Sequence, residues 1–148
     1  MQNDISDWQN KTLSNVCANY EAFVLQKALT SSRQLILYIA SDGVNLAQTA
    51  ALLRYINPAL QVLEFPAWDT VPYDRVSPNS AVVAKRIETL AQIVFADNSK
   101  QTVVITSVGA VLQKLPPAKI FRHAQKHLAV GTTLNFEQFL HYMAVNGY

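Results

Sequence analysis

Apolar residues along this chain follow two spacings in turn. Gln34 to Ala40, Leu60 to Phe65 and Thr102 to Thr106 are short runs with the length and β-branched content of buried strands, and Leu13 to Val16 reads as a shorter first strand. Between them the spacing becomes helical. Tyr20 to Leu29 predicts a helix whose faces are set by Phe23, Val24 and Lys27. A second helix, capped by Ser41 or Asp42, runs to about Ile56 with Leu46, Ala50, Leu53 and Ile56 on its apolar face, and Asn57-Pro58 stops it. A third starts at Pro78 with Ser77 as N-cap and turns Val83, Ile87, Leu90, Ala91 and Val94 inward. Ser107 caps a short fourth helix through about Lys114, which Pro116-Pro117 ends. Strands alternating with helices predict an α/β fold, a mostly parallel sheet flanked by helices.

The pattern changes near residue 118. His127 to Val130 reads as an edge strand, Gly131 as a turn, and Asn135 as the cap of an amphipathic helix carrying Phe136, Phe139, Leu140 and Met143. One strand and one helix cannot enclose a core. Residues 1–117 are therefore expected to form one domain and residues 118–148 the opening of a second, small α+β domain, which makes the sequence part of a longer protein.

Composition narrows the class. With 148 residues, half of them hydrophobic, the chain can bury one good core. No apolar run approaches the roughly 20 residues of a membrane span, and no basic-then-apolar leader opens the chain, so a cytoplasmic location is expected, with no membrane partner. One cysteine, Cys17, provides neither a disulfide framework nor a thiolate zinc site, and is expected to be a small buried hydrophobe. The net charge of +2 hides an asymmetry. Up to Pro78 there are five basic and seven acidic residues; after it there are seven basic and three acidic. Lys114, Lys119, Arg122 and Lys126 are the candidate contacts to DNA or another partner, although a charge run is more often a solvated face.

Candidate chemistry is sparse. The turn Cys17-Ala18-Asn19-Tyr20-Glu21 stands where a nucleotide-binding α/β domain places its phosphate loop. Such a loop needs glycines, to aim backbone N–H groups at phosphate, and a lysine; this turn has neither, and Glu21 would repel the ligand. The four glycines, at positions 43, 109, 131 and 147, build no cradle elsewhere. Asp42, after a strand, could be a catalytic acid but reads better as a helix cap. His123, His127 and His141 are loosely spaced and lack a third ligand, so no metal site is expected. No catalytic residue emerges.

The segment Phe65-Pro66-Ala67-Trp68-Asp69-Thr70-Val71-Pro72-Tyr73-Asp74-Arg75-Val76-Ser77-Pro78 is a stiff connection, because each proline fixes its own φ and restricts the residue before it. Asp69 and Asp74 could be paired acid/base carboxylates, but they read more simply as turn-formers, with Arg75 as an ion partner. Trp68 and Tyr73 are expected to pack the loop on the sheet edge rather than stack on a base.

This segment, followed by Ala84-Lys85-Arg86-Ile87-Glu88-Thr89-Leu90 and by Val103-Val104-Ile105-Thr106-Ser107-Val108, resembles the N-terminal region of the bacterial transcription-repair coupling factor family, Mfd. The resemblance covers about residues 13 to 148, and Trp68, Asp69, Pro72, Tyr73, Asp74, Arg75 and Pro78 are its signature. It implies a degenerate P-loop, helicase-like domain similar to UvrB domain 1a. Cys17 to Glu21 would occupy the position of the UvrB phosphate loop. Trp68 to Pro78 leaves no room for UvrB's DNA-gripping hairpin. Intact members of the family are ATP-driven DNA translocases that remove stalled RNA polymerase and recruit UvrA, with ATP and magnesium held in motor domains beyond Tyr148. The resemblance thus implies a noncatalytic region that binds no cofactor itself and lacks the core of the UvrA contact. Two other readings are a UvrB- or helicase-type ATP-dependent domain and a standalone basic DNA-binding module.

Overall fold

The computed structural model describes residues 12–29, 35–71, 75–96, 100–124, 126 and 128–145. Its elements run α1 (Glu21–Ala28), β1 (Leu35–Ala40), α2 (Gly43–Ile56), β2 (Gln61–Phe65), α3 (Ser80–Val94), β3 (Thr102–Ser107), α4 (Val108–Val111), α5 (Ala118–Ala124) and α6 (Phe136–Val145). The chain divides into two units, residues 1–114 and 115–148. No helix among the described residues is long and apolar enough to cross a membrane.

The first unit is the α/β fold expected from the alternating pattern. Its three strands form an all-parallel sheet in the order β1-β3-β2. Parallel neighbours need crossovers, and crossovers are right-handed. The step from β1 to β2 passes over the β3 position and the step from β2 to β3 comes back, so α2 and α3 must lie on opposite faces. On the first face Ile36, Tyr38, Ala40, Val62, Val103 and Ile105 pack with α1 and α2. On the second, α3 covers β2, where Leu63 and Phe65 are buried. The central strand, β3, is buried along all six residues.

Helix starts follow the expected capping chemistry. Asp42 caps α2 by accepting from the backbone N–H of Asn45 at 2.8 Å. Ser107 accepts from Ala110 at the start of α4, and Asn135 accepts from Gln138 at the start of α6.

Several expectations are corrected. Leu13 to Val16 is not a strand: Asn15 takes a left-handed φ of 57°, which breaks an extended run. Cys17 is exposed rather than buried, because it stands in that same open turn. The cap of α3 is Asn79, accepting from Ala81 at 2.9 Å, in place of Ser77; Pro78 therefore lies outside the helix. The buried residues of α3 are Arg86 and Thr89, and Ile87 is exposed. The helix sits over β2, which leaves Ile87 at the flank, about half exposed. Residues 128–130 form no strand; a turn closes as Thr132 N–H and Oγ1 both bond the carbonyl of Ala129, with Gly131 at φ 91°. Helix α5 was not expected at all. Pro116-Pro117, read only as a stop, also starts it, and the Ile120 N–H bonds the Pro117 carbonyl at 3.0 Å. Asn146, Gly147 and Tyr148 lie outside the described residues.

Two measurements test this layout. Ile105→Ala, at a fully buried site, should cost about 3 kcal/mol in urea unfolding, against under about 1 kcal/mol for Leu37→Ala on the open edge strand. Backbone N–H groups and the Ser41 hydroxyl hold the Asp42 carboxyl below its ordinary value. A lowered folded pKa means stability that is complete above the unfolded value of about 4 and is lost as pH falls through the folded one. The stability difference between the native chain and Asp42→Ala should accordingly shrink on acidification below about pH 4.

Candidate functional site

The most elaborated part of the first unit lies where β2 ends and the stiff segment begins. Three successive carbonyls there accept side-chain hydrogen bonds. Thr89 Oγ1 donates to Glu64 O at 2.7 Å, Thr106 Oγ1 to Phe65 O at 3.0 Å, and Arg86 Nη1 to Pro66 O at 2.5 Å. These groups come from α3 and β3, so the end of β2 is held from the helix layer and from its neighbouring strand.

Arg86 is the centre of this arrangement. It is only 3% exposed. Its guanidinium lies over the Phe65 ring at 4.2 Å and the Trp68 ring at 4.3 Å, and Nη1 also donates to Gln113 Oε1 at 3.0 Å. The same Gln113 oxygen accepts from the Trp68 backbone N–H at 3.1 Å. A buried cation needs compensation, and here two aromatic faces and two oxygens supply it. Burial lowers the Arg86 pKa, but an arginine stays charged throughout the range in which proteins fold. Trp68 is thus packed against α3 through this cation.

Asp69 bridges the base of the loop. Its two carboxylate oxygens accept from the Asn79 backbone N–H at 3.2 and 3.1 Å, ten residues further on. Asn79 in turn caps α3. Arg75 is exposed, and Pro72, Tyr73 and Asp74 lie outside the described residues. Beside the loop a cleft of about 610 Å³ opens between Trp68, Val71 and Pro78 on one side and Leu112, Gln113 and Lys114 on the other.

The expected phosphate-loop position has a different character. Cys17, Ala18, Asn19 and Tyr20 form a turn in which the Tyr20 N–H bonds the Cys17 carbonyl at 3.1 Å and Asn19 takes φ 67°. No strand precedes it among the described residues. Glu21 opens α1 and places its charge at the positive end of that helix. Its Oε2 is buried without a hydrogen bond. Burial, followed by the Glu21 charge, raises the Tyr38 pKa. Tyr38 donates to Asn45 Oδ1 at 3.2 Å.

The basic candidates fall on both units. Lys114 belongs to the first, and Lys119, Arg122 and Lys126 to the second, all exposed. Lys126 lies over the Tyr142 ring at 5.8 Å, and Tyr142 ties α6 to α5 through the Ala124 carbonyl. A groove of about 990 Å³ separates these two helices and includes Lys119, Lys126 and His141 in its lining. His127 lies outside the described residues, and no group of three metal-ligating side chains occurs among them.

No family model matches the chain. Curated proteins do. A transcription-repair-coupling factor of Rickettsia bellii is 31% identical over 99 residues, 67% of this chain and 9% of that protein. One from Haemophilus influenzae is 23% identical over 139 residues, 94% of this chain and 12% of that protein. One from Rickettsia prowazekii reaches 46% identity over 57 residues, 38% of this chain and 5% of that protein. The chain is related to the transcription-repair coupling factors. It spans about a tenth of the length of these relatives.

Arg86 lies in a segment that resembles this Mfd family, yet its residue type alone does not mark it as a site residue, since charged side chains are rarely buried whole. Its spacing from Thr89 on one helical face was the available signal. Arg86→Ala should destabilise the first unit by about 3 kcal/mol in urea unfolding, because it leaves Pro66 O and Gln113 Oε1 unpaired and opens a cavity. Arg86→Lys should recover little of this, since an ammonium cannot lie flat between two rings while donating sideways. Trp68 fluorescence should report the released loop in both variants.

Proposed function

We propose that this chain is a noncatalytic, N-terminal region of a transcription-repair coupling factor, with a degenerate UvrB-like first domain joined to the opening of a UvrA-binding-type domain. In the intact protein, motor domains elsewhere in the polypeptide would use ATP and magnesium to move along DNA, displace stalled RNA polymerase and bring UvrA to the lesion. This region would serve as a scaffold for that recruitment.

The observation that carries the reading is Glu21 at the start of α1. A helix N-terminus can receive phosphate through its free N–H groups and its partial positive charge. Here a carboxylate already occupies that field, no lysine stands in the turn, and the turn from Cys17 to Tyr20 contains no glycine. The relationship to coupling factors supplies the biological context, and the turn's chemistry argues against the ATP-dependent alternative.

Calorimetry with magnesium-ATP should give no saturable heat for the 148-residue chain. Immobilised UvrA should retain it negligibly and should retain a version extended by about 60 to 100 residues, the size of a small domain. Saturable ATP binding would return the chain to the enzyme class. Strong UvrA capture by the 148 residues alone would overturn the placement of the contact.

A further inference from the structure

Strands β2 and β3 are parallel neighbours, so the segments that leave their carboxyl ends start side by side. The cleft of about 610 Å³ lies between those segments, with Trp68, Val71 and Pro78 from the first and Leu112, Gln113 and Lys114 from the second. Open α/β sheets take their ligands at this end, and ligand pockets commonly enclose about 300–1,000 Å³.

The polar groups of the cleft are donors without acceptors. Gln113 Oε1 receives Arg86 Nη1 and the Trp68 backbone N–H, so the carboxamide is held with its oxygen toward these two groups and its Nε2 turned away from them. Among the described residues that Nε2 donates to nothing. Lys114 Nζ pairs with no carboxylate among them, and no acidic side chain lines the cleft. Asp69, close by in the chain, is already committed to the Asn79 N–H. Behind Trp68 and Gln113 stands Arg86, 3% exposed and also without a carboxylate partner among the described residues. Ring faces and neutral oxygens stabilise its charge but do not cancel it.

This donor set specifies the ligand. An oriented amide N–H, an ammonium and the field of a buried guanidinium are satisfied together by a negatively charged oxygen. The other walls, Trp68, Val71, Pro78 and Leu112, call for an apolar body beside that oxygen. Val71 and Leu112 are 70% and 81% exposed, so the apolar walls continue onto open surface, farther than a small free acid could cover. Nucleic acid fits less well. Its affinity is built from several neutralised phosphates, and the cleft offers one lysine. A carboxylate carried on a peptide supplies the oxygen, the apolar neighbours and the length.

We propose that this cleft docks an acidic peptide segment of a partner protein, whose Asp or Glu carboxylate accepts from Gln113 Nε2 and Lys114 Nζ while an adjoining apolar side chain lies along Trp68 and Leu112. Arg86 is then a positioning residue, which orients the Gln113 amide and adds its field without touching the peptide. This goes beyond the scaffold role proposed above, because it gives the first unit a contact of its own. The probe is a short fluorescein-labelled peptide of alternating leucine and glutamate, with the leucine–glutamine peptide as neutral control, followed by anisotropy. The acidic peptide should bind and the neutral one should not. Lys114→Glu should weaken binding about tenfold or more, and Lys27→Glu, the same charge change on α1, by less than about twofold. In nuclear magnetic resonance the Gln113 side-chain amide signals should shift as the peptide is added. Unmoved Gln113 signals, or equal weakening by the two charge reversals, would overturn the proposal. Free glutamate that competes at the peptide's own concentration would assign the cleft to a small carboxylate, and an oligothymidine that displaces the peptide with steep salt dependence would assign it to nucleic acid; either rejects a peptide partner. Binding by the 148-residue chain that disappears in the full-length polypeptide would show the cleft filled from within and reject an external one.

Discussion

The first unit is organised by burying one strand, β3, on both faces of a parallel sheet. A strand in that position cannot be polar on either side, and Thr102, Thr106 and Ser107 are admitted because their hydroxyls find local partners: Thr102 bonds Gln61, Thr106 bonds the Phe65 carbonyl, and Ser107 caps α4. Parallel pairing on either side of β3 then requires crossover helices, and handedness places α2 and α3 on opposite faces. The core under α1 and α2 is mainly aliphatic. The other face closes over β2 with Arg86 and Thr89, polar residues whose hydrogen bonds run to backbone carbonyls. That face gains geometric definition from these directed bonds where the first relies on packing.

What was legible in the sequence follows from this division. Val103 to Ile105 could be recognised because a strand buried on both faces is apolar without interruption, and the Asp42, Ser107 and Asn135 caps could be recognised because capping is local chemistry. The orientation of α3 could not. Reading Ile87 inward assumes that every apolar residue of a helix meets its own sheet within the sequence at hand. Arg86 and Thr89 take that place because their partners, Pro66 O, Glu64 O and Gln113, lie twenty or more residues away. Helix α5 was hidden for a different reason. A proline pair ends one element and starts the next with equal facility.

The candidate site was partly legible. The stiffness of the Phe65 to Pro78 segment and the turn-forming role of Asp69 follow from residue types, and Asp69 does reach back to the Asn79 backbone. The cation that holds Trp68 was not visible, because a guanidinium between two rings belongs to the tertiary arrangement and has no local pattern. That the turn from Cys17 to Glu21 holds neither glycine nor lysine, by contrast, needs only residue identities, and the structure adds that Glu21 places its carboxylate at the first turn of α1.

In open α/β sheets, ligands bind in the crevice beyond the carboxyl ends of the strands, so the use made of those ends bears on function. All three strands here are parallel and end on the same side. Beyond β1, the Asp42 carboxylate is committed to the start of α2. Beyond β2, the carbonyls of Glu64, Phe65 and Pro66 are committed to Thr89, Thr106 and Arg86, and Trp68 lies on the guanidinium. Beyond β3, Ser107 caps α4. Groups that could have met a substrate at each strand end instead hold neighbouring backbone. What stays open beyond these strand ends is the cleft between Trp68, Val71 and Pro78 and Leu112, Gln113 and Lys114, while on the face of β1 apolar side chains stand in water without any such commitment.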